Sequence, residues 1–155
     1  MKHSLIALLG MVLLSLSCGK TSDSGCTPAT IASEKPAMVA YCTANGITYT
    51  EHSSGILYQI ITPGTGATPT IASKVLAMYT GKLLNGTVFD SQTSNPIEFP
   101  LSGVIDGWKI GIPLLKAGGK IKLVIPSALA YSCVGTGPIP GNSPLYFEVT
   151  LVGVN

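Results

Sequence analysis

The stretch from Val104 to Gly111, VIDGWKIG, contains the only tryptophan of the chain inside a short run of helical character that ends at glycine. Beyond residue 55, almost everything else has the pattern of β-strands. One short helix carrying one large aromatic residue between strands predicts a sheet wrapped over a single helix. Trp108 would then lie in the core or at the wall of a cavity. The interpretation of both the fold and the functional site depends on whether Trp108 is a core residue or lines a cavity.

The composition indicates one turn-rich domain. The chain has 155 residues, of which 10% are charged, with 18 glycines and 11 prolines. This mixture favours a sheet protein over a helical bundle. All nine basic residues are lysine and the formal net charge is +2, so no basic patch of the kind that neutralises phosphates is present. We therefore expect no nucleic-acid partner.

The N-terminus has the pattern of an export signal. A short basic start precedes an almost wholly apolar run from Leu5 to Leu16, which is too short to span a bilayer comfortably. The next residues, Ser17-Cys18-Gly19, resemble a bacterial lipobox, in which the cysteine is lipidated and becomes the new N-terminus. We predict a signal peptide over residues 1–17 and a lipid anchor at Cys18. An ordinary secretory signal cleaved near the same place is the alternative.

Two further segments precede the main domain. Residues 18–32 are mostly polar and small, which predicts a flexible tether. Residues 33–46 predict a small N-terminal helix, with Ser33 as its cap, Pro36 in its first turn and Asn45-Gly46 as its stop. Residues 47–155 would form the domain itself.

Strand-like segments then follow at short intervals. Asn85-Gly86 is a hairpin signal, and the turn that it favours needs positive φ at both residues. Lysines alternate with aliphatic residues from Lys120 to Ile125, which predicts a strand with one buried face. The pattern predicts an α+β fold with five or six mostly antiparallel strands and one helix on one face. The strand-like segments are 47–50, 56–62, 74–84, 87–90, 97–101, 120–125 and 145–154, with loops at 92–96 and 131–144.

Side chains for nucleophilic, metal or nucleotide chemistry are scarce. Of the two histidines, His3 leaves with the signal peptide and His52 lies in a polar turn. No Cys-x-x-Cys or His-Glu-x-x-His spacing occurs, so we expect no metal and no cofactor. A lone Gly135-x-Gly137 lacks the context and the lysine of a phosphate loop. The chain offers aromatic and aliphatic side chains at strand ends instead, and any one of these is more often a core residue.

Six short motifs nevertheless stand in a specific order. They are Met78–Gly81, Gly86–Ser91, Val104–Trp108, Ile125–Tyr131, Ile139-Pro140 and Leu145–Val149. Their order and spacing resemble those of the FKBP-type peptidyl-prolyl cis-trans isomerases over roughly residues 55 to 154. The whole chain is similar to the lipoprotein branch of that family in Bacteroidetes-type bacteria. The resemblance implies an antiparallel half-barrel wrapped over one short helix, with a hydrophobic pocket between them.

The resemblance also implies roles for the matching residues. Trp108 would lie under a proline ring, the Ile105 N–H and the Tyr131 hydroxyl would bond substrate carbonyls, and Asp90 would supply a polar group at the wall. Ile139 would belong to an apolar flap. The implied catalytic residues are Tyr79, Phe89, Asp90 and Tyr131, and the implied substrate-binding residues are Phe99, Val104, Ile105, Trp108, Ile139 and Phe147.

The implied function is isomerisation of Xaa-Pro bonds during the folding of exported proteins, at the cell envelope. Proline-containing polypeptides would be the clients and macrolides the inhibitors. A non-catalytic peptide-binding or chaperone module on the same fold is the alternative, and three departures from the family keep it open. Ile97 stands where many members have Phe, which should loosen one wall of the pocket and weaken macrolide binding more than catalysis. Ser132 stands where Gly is usual, and Asp106 where the residue is commonly basic or Pro.

The cysteines allow at most one intramolecular disulfide once Cys18 is lipidated, because three then remain in an oxidising compartment. Three pairings are possible. Cys42 follows Met38 by one helical turn and is predicted to be a buried thiol. The favoured pair is therefore Cys26 with Cys133. A catalytic Cys133 is the sharper alternative, but no neighbouring histidine would activate it.

Overall fold

The computed structural model describes residues 25–155, which contain one antiparallel sheet and two α-helices. The predicted signal peptide and the predicted lipidation site at Cys18 lie outside these residues. No helix within residues 25–155 is both long and apolar enough to cross a membrane. The helices are α1 (Ile31–Ala44) and α2 (Asp106–Gly111), and the strands are β1 (Thr50–Glu51), β2 (Leu57–Thr62), β3 (Lys74–Leu83), β4 (Val88–Pro100), β5 (Gly119–Ile125) and β6 (Leu145–Val154).

The six described strands are ordered β1-β2-β5-β6-β3-β4, and every neighbouring pair is antiparallel. This confirms the predicted α+β fold with an antiparallel sheet over one short helix. The segment 47–50 was predicted as a strand, but only its last residue pairs, in the two-residue β1. Single turns of 3-10 helix occur at Leu101–Gly103, Ile112–Leu114 and Ser127–Leu129.

Each face of the sheet carries its own apolar cluster. Trp108 of α2 packs with Leu123 and other inward residues of the strands in the main core. Met38 and Cys42 of α1 pack with Val124 in a second cluster. Because successive strand residues point to opposite faces, Leu123 and Val124 belong to different clusters. The thiol of Cys42 is buried and free, as predicted, and its burial raises its pKa.

The N-cap of helix α1 lies three residues before the predicted cap, Ser33. This N-cap is Thr30, whose side chain accepts a hydrogen bond from the Ser33 N–H at 3.1 Å. The Thr30 carbonyl also accepts from the backbone amides of Ser33 and Glu34, which closes the first turn at this earlier point. Ser33 is therefore inside the helix, and Pro36 lies in the second turn instead of the first.

The residues just before α1 are bound to the domain. Cys26 forms the predicted disulfide with Cys133. The side-chain amide of Asn142 donates to the Thr27 carbonyl at 3.0 Å, and its oxygen accepts from the Ala29 N–H at 2.8 Å. The flexibility predicted for the tether does not extend to these residues, because covalent and hydrogen bonds fix them to the long loop after β5.

The β3–β4 hairpin forms where Asn85-Gly86 predicts it, but with a different turn. Gly86 has φ +92°, whereas Asn85 is not among the residues with positive φ. The Gly86 N–H donates to the Leu83 carbonyl at 2.9 Å, and the Thr87 N–H donates to the Asn85 side chain at 3.0 Å. This is the pattern of a type I turn followed by a glycine bulge. Asn85 uses its side chain to bond the backbone, so only the glycine needs the left-handed conformation.

Strand β4 continues through the segment predicted as a loop at 92–96. Gln92 pairs with Tyr79 and Ile97 pairs with Ala77, so four residues of β4 stand opposite one residue of β3. The additional residues form an extended bulge, which interrupts the pairing without ending the strand. β4 therefore carries pocket residues on both sides of this bulge.

Packing of α1 on the sheet predicts that Met38→Ala destabilises the protein. Met38 is fully buried, and truncation of a buried Met typically lowers the free energy of unfolding by about 2–5 kcal/mol. Urea unfolding followed by Trp108 fluorescence measures the change. Ala40→Ser, on the exposed face of the same helix, is the matched control and should cost about 0.5 kcal/mol. Equally small losses in both variants would contradict the packing.

Candidate functional site

A cavity of about 400 Å³ opens between α2 and strands β3, β4 and β6. Its size lies within the ~300–1,000 Å³ common for ligand pockets. The lining is mainly aromatic and aliphatic with a single carboxylate, which suits an apolar group held in place by a few polar contacts. The lining residues are Tyr79, Phe89, Asp90, Ile97, Phe99, Gly103, Val104, Ile105, Trp108, Tyr131 and Phe147.

Trp108 forms the floor of this cavity and is only 5% exposed. The rings of Tyr79 and Phe147 each meet the indole edge to face, with centroids 5.1 Å away. Phe99 meets it at 5.5 Å in a tilted arrangement. Phe89 in turn meets Phe147 edge to face at 5.5 Å. Such contacts are worth about 0.5–1.5 kcal/mol each beyond area burial, so neighbouring rings fix the position of the indole.

Two glycines let α2 approach the sheet closely enough to place Trp108. A Cβ on Gly111 would come within 2.7 Å of the Leu123 side chain, and a Cβ on Gly107 would collide with Ile125. Both glycines are buried. The backbone of α2 therefore lies directly on β5, and the indole between the two glycines in sequence is carried into the floor of the cavity.

The backbone N–H of Ile105 and the hydroxyl of Tyr131, both of which belong to the lining, have no acceptor within the described residues. The indole N–H of Trp108 is buried and also lacks a partner there. Leaving a buried donor unpaired costs about 1–3 kcal/mol. A bound molecule that brings carbonyl oxygens into the cavity would satisfy such donors.

Tyr79 and Asp90 form the polar part of the wall. The Tyr79 hydroxyl donates to Asp90 Oδ2 at 2.6 Å. Burial, and then the hydrogen bond to the carboxylate, raise the pKa of Tyr79 well above its usual value. The phenol is therefore a neutral donor, and it holds Asp90 against the rim of the cavity.

The loop that carries Tyr131 contains a residue in the left-handed backbone region. Ser132 has φ +51°, a conformation that favours glycine, and it stands where the family usually has Gly. Its N–H donates to the Ser127 carbonyl at 2.8 Å, and its carbonyl accepts from the Asn142 N–H at 2.7 Å. The departure at this position leaves the glycine-like backbone in place, because both peptide groups of Ser132 are bonded.

Every residue that the sequence assigns to the pocket lines the cavity, with the exception of Ile139. Ile139 was expected in an apolar flap, but it is 5% exposed and belongs to the main core. A pair of backbone hydrogen bonds with Thr136, at 2.8 and 2.9 Å, folds the loop back on itself. This fold turns Ile139 inward, away from the lining.

Sequence reasoning missed one lining residue, Gly103. Ile97, which was expected to loosen one wall of the pocket, does line the cavity; it is two positions from Phe99 on β4 and therefore shares its face. Gly103 has no side chain, so no sequence signal could have indicated it. The third departure, Asp106, lies outside the lining; it is exposed and pairs with Lys109 at 2.9 Å.

Comparison with known proteins identifies relatives. A family profile described as FKBP-type peptidyl-prolyl cis-trans isomerase matches residues 66–152. The protein FkpA of Escherichia coli K12, an FKBP-type peptidyl-prolyl cis-trans isomerase, is 44% identical over 104 residues, which are 66% of this chain and 38% of that protein. The FKBP-type 22 kDa isomerase of the same organism is 45% identical over 112 residues, 70% of this chain and 53% of that one.

Solved structures agree with these matches. The crystal structure of FkpA from Escherichia coli has a TM-score of 0.73 at 39% identity and covers 80% of this chain and 58% of that one. A peptidyl-prolyl cis-trans isomerase from Pseudomonas syringae pv. tomato has a TM-score of 0.69 at 35% identity, over 83% of this chain and 98% of its own. The chain spans about half or less of the length of the two curated relatives, and the matched segment contains the whole cavity lining. On its sequence and its fold, the chain belongs to the family of FKBP-type peptidyl-prolyl cis-trans isomerases.

Proposed function

We propose that the protein is a peptidyl-prolyl cis-trans isomerase that acts on Xaa-Pro bonds of polypeptide clients. The observation that carries the proposal is an apolar cavity with an indole floor and two unengaged donors, the Ile105 N–H and the Tyr131 hydroxyl, in a chain of this family. The cavity suits a proline ring, and the donors suit the carbonyl groups on either side of it.

Xaa-Pro isomerisation requires an apolar cavity and a few hydrogen-bond donors, for the following reasons. Rotation about an amide bond has a barrier of ~18–20 kcal/mol because resonance is lost in the twisted state. Uncatalysed Xaa-Pro isomerisation takes about tens to hundreds of seconds. A twisted amide has less charge separation than a planar one, so an apolar pocket that excludes water favours the twisted state relative to the ground state. No covalent bond is broken, and no proton has to be moved.

The lining residues would divide this work. Trp108 supports the proline ring, and Phe89 and the aromatic residues around it exclude water. The Ile105 N–H holds a carbonyl of the client, and the Tyr131 hydroxyl holds a second. Tyr79 keeps Asp90 at the wall, where its carboxylate faces the polar edge of the twisted amide. Only bonds that are stronger in the twisted state raise the rate.

Ile97 affects the choice of ligand. It is 38% exposed on the wall of the cavity and smaller than the Phe that many family members carry. A looser wall should weaken binding of large macrolide inhibitors more than it weakens turnover of a flexible peptide. Proline-containing polypeptides are therefore the proposed substrates, and macrolides would be weaker ligands.

We also propose that the protein works at the cell envelope, anchored by lipid at Cys18. The apolar run and the lipobox-like Ser17-Cys18-Gly19 support export and lipidation. The Cys26–Cys133 disulfide supports the same compartment, because disulfides persist in oxidising environments. Its clients would be exported proteins that fold there.

The proposed role of Tyr131 predicts that Tyr131→Phe lowers kcat/KM for an Xaa-Pro peptide about 2- to 10-fold, the equivalent of one hydrogen bond. A protease-coupled assay of a short peptide measures the rate. Tyr49→Phe removes a hydroxyl outside the cavity and is the matched control, expected to leave the rate unchanged. If the unaltered protein gave only the isomerisation rate of the buffer but suppressed aggregation of a client, the proposal would be wrong. The protein would then be the non-catalytic peptide-binding module.

The Tyr79–Asp90 bond predicts an unusual alkaline titration. Because the folded-state pKa of Tyr79 is raised, its phenol should stay protonated above pH ~10, where a free tyrosine ionises. The stabilisation is complete below that pH and is lost as the pH rises through the folded-state pKa, so Tyr79→Phe should flatten the alkaline fall in the free energy of unfolding.

Phenolate absorbance of the protein minus that of Tyr79→Phe isolates this group. Asp90→Asn should lower the pKa of Tyr79, but not fully, since burial is its largest cause. If this difference in phenolate absorbance already appeared near pH ~10, the pKa of Tyr79 would not be raised and the prediction would be wrong.

Lipidation at Cys18 predicts that the full chain incorporates a labelled fatty acid and sediments with membranes when expressed in a bacterium. Cys18→Ala should abolish labelling and release the protein, or leave the precursor uncut. Cys42→Ala keeps the number of cysteines equal and should still be labelled. An exported chain that is cut but carries no lipid would instead establish the ordinary secretory signal.

A further inference from the structure

Glu34 is a buried carboxylate that the proposed mechanism does not use. It is 7% exposed and lies on the face of α1 that also buries Met38 and Cys42. None of the ion pairs among the described residues includes it. Taking a carboxylate out of water without a cation costs several kcal/mol, so simple packing does not account for this residue.

Both oxygens of Glu34 accept hydrogen bonds from one residue that is distant in sequence. Oε2 accepts from the Ser127 N–H at 2.8 Å, and Oε1 accepts from the Ser127 hydroxyl at 2.5 Å. Ser127 is itself 1% exposed and begins the 3-10 turn that follows β5. Charge-assisted hydrogen bonds of this kind are about twice as strong as neutral ones. Glu34 therefore fixes the start of the turn.

Ser127 in turn holds the residues on both sides of Tyr131. Its carbonyl accepts from the Ala130 N–H at 2.9 Å and from the Ser132 N–H at 2.8 Å. Tyr131 lies between these two amides. Tyr131 therefore follows a turn that begins at Ser127. The N–H and the hydroxyl of Ser127 are bonded to Glu34, and its carbonyl is bonded to the two amides that flank Tyr131.

The loop after this turn contains two non-glycine residues in the left-handed backbone region. Ser132 has φ +51° and Asn142, which donates to the Ser132 carbonyl, has φ +54°. Non-glycine residues persist in the left-handed region only where their surroundings fix them. Residues 26–34 contact this loop at three points. Cys26 forms the disulfide with Cys133, and Thr27 and Ala29 are hydrogen-bonded to the side chain of Asn142. Glu34 accepts hydrogen bonds from Ser127.

We infer that Glu34 is a positioning residue, which acts through Ser127 to hold the Tyr131 hydroxyl over the cavity. Residues 26–34 are consequently part of the working unit, although they precede the segment 66–152 that the family profile matches. The inference rests on the proposed function, because it concerns the residue that would bond the substrate carbonyl.

A double-mutant cycle tests it. In the full chain, kcat and KM for an Xaa-Pro peptide are measured for Glu34→Ala and for Glu34→Gln, each with Tyr131 and with Tyr131→Phe. Glu34→Ala should lower kcat/KM about 3- to 10-fold. Glu34→Gln should retain most of the rate, because its amide can accept from the Ser127 N–H and donate to the Ser127 hydroxyl. With Tyr131→Phe, Glu34→Ala should have no further effect. Equal losses in both backgrounds would overturn the inference.

A second measurement needs no activity. Amide hydrogen exchange of Ala130 and Ser132 should be faster in Glu34→Ala than in the unaltered protein, while the amides of β5 and β6 stay protected. Lys35→Ala, which removes only a surface ion pair with Glu51, is the matched control and should change neither exchange nor rate. If Glu34→Ala does not fold, Ser127→Ala takes its place, with the same expectation at Ser132.

The two measurements separate the possible failures. An unaltered protein without isomerase activity would end the proposed function, and the exchange rates would still decide whether Glu34 holds the turn. Unchanged exchange at Ala130 and Ser132 would overturn the inference whatever the activity.

Discussion

The close contact of α2 with β5 is the constraint on which the rest of the structure depends. Gly107 and Gly111 let the helix backbone lie against Ile125 and Leu123, and Trp108 is carried into the space enclosed by the sheet. Burial of a Trp removes about 150–250 Å² of surface from water. The contact between α2 and β5 therefore both completes the core and forms the floor of the cavity, so the core and the proposed binding site share one indole.

A cavity of this kind would let the proposed isomerisation proceed without a nucleophile or a metal. Xaa-Pro rotation requires an apolar space and a few donors that bind the twisted amide. The lining supplies aromatic walls and unengaged donors, among them the Ile105 N–H and the Tyr131 hydroxyl. The departures from the family leave this arrangement in place: Asp106 lies outside the lining, Ser132 keeps a glycine-like φ, and Ile97 only changes the size of one wall.

The N-terminal segment gives the domain a second layer. α1 covers the face of the sheet opposite α2 and buries Met38 and Cys42 there. Before it, the Cys26–Cys133 disulfide and the bonds of Asn142 join the chain to the loop beside Tyr131. The disulfide closes a loop between residues 107 positions apart, which restricts the unfolded chain more than a short loop would. Stability and the position of the Tyr131 loop thus depend on the same attachments.

The sequence alone determined what depends on local pattern and on motif order. Strand periodicity placed β6 at Leu145–Val154, and Asn85-Gly86 located the hairpin. The family resemblance assigned residues to the pocket, and all of them except Ile139 line the cavity. Tertiary structure alone decided what depends on distant contacts. Thr30 caps α1 in place of Ser33, Ile139 turns into the core, and Glu34 reaches Ser127 across 93 positions. Local propensity and spacing carry no information on which distant groups will meet, because packing of the whole chain sets those contacts.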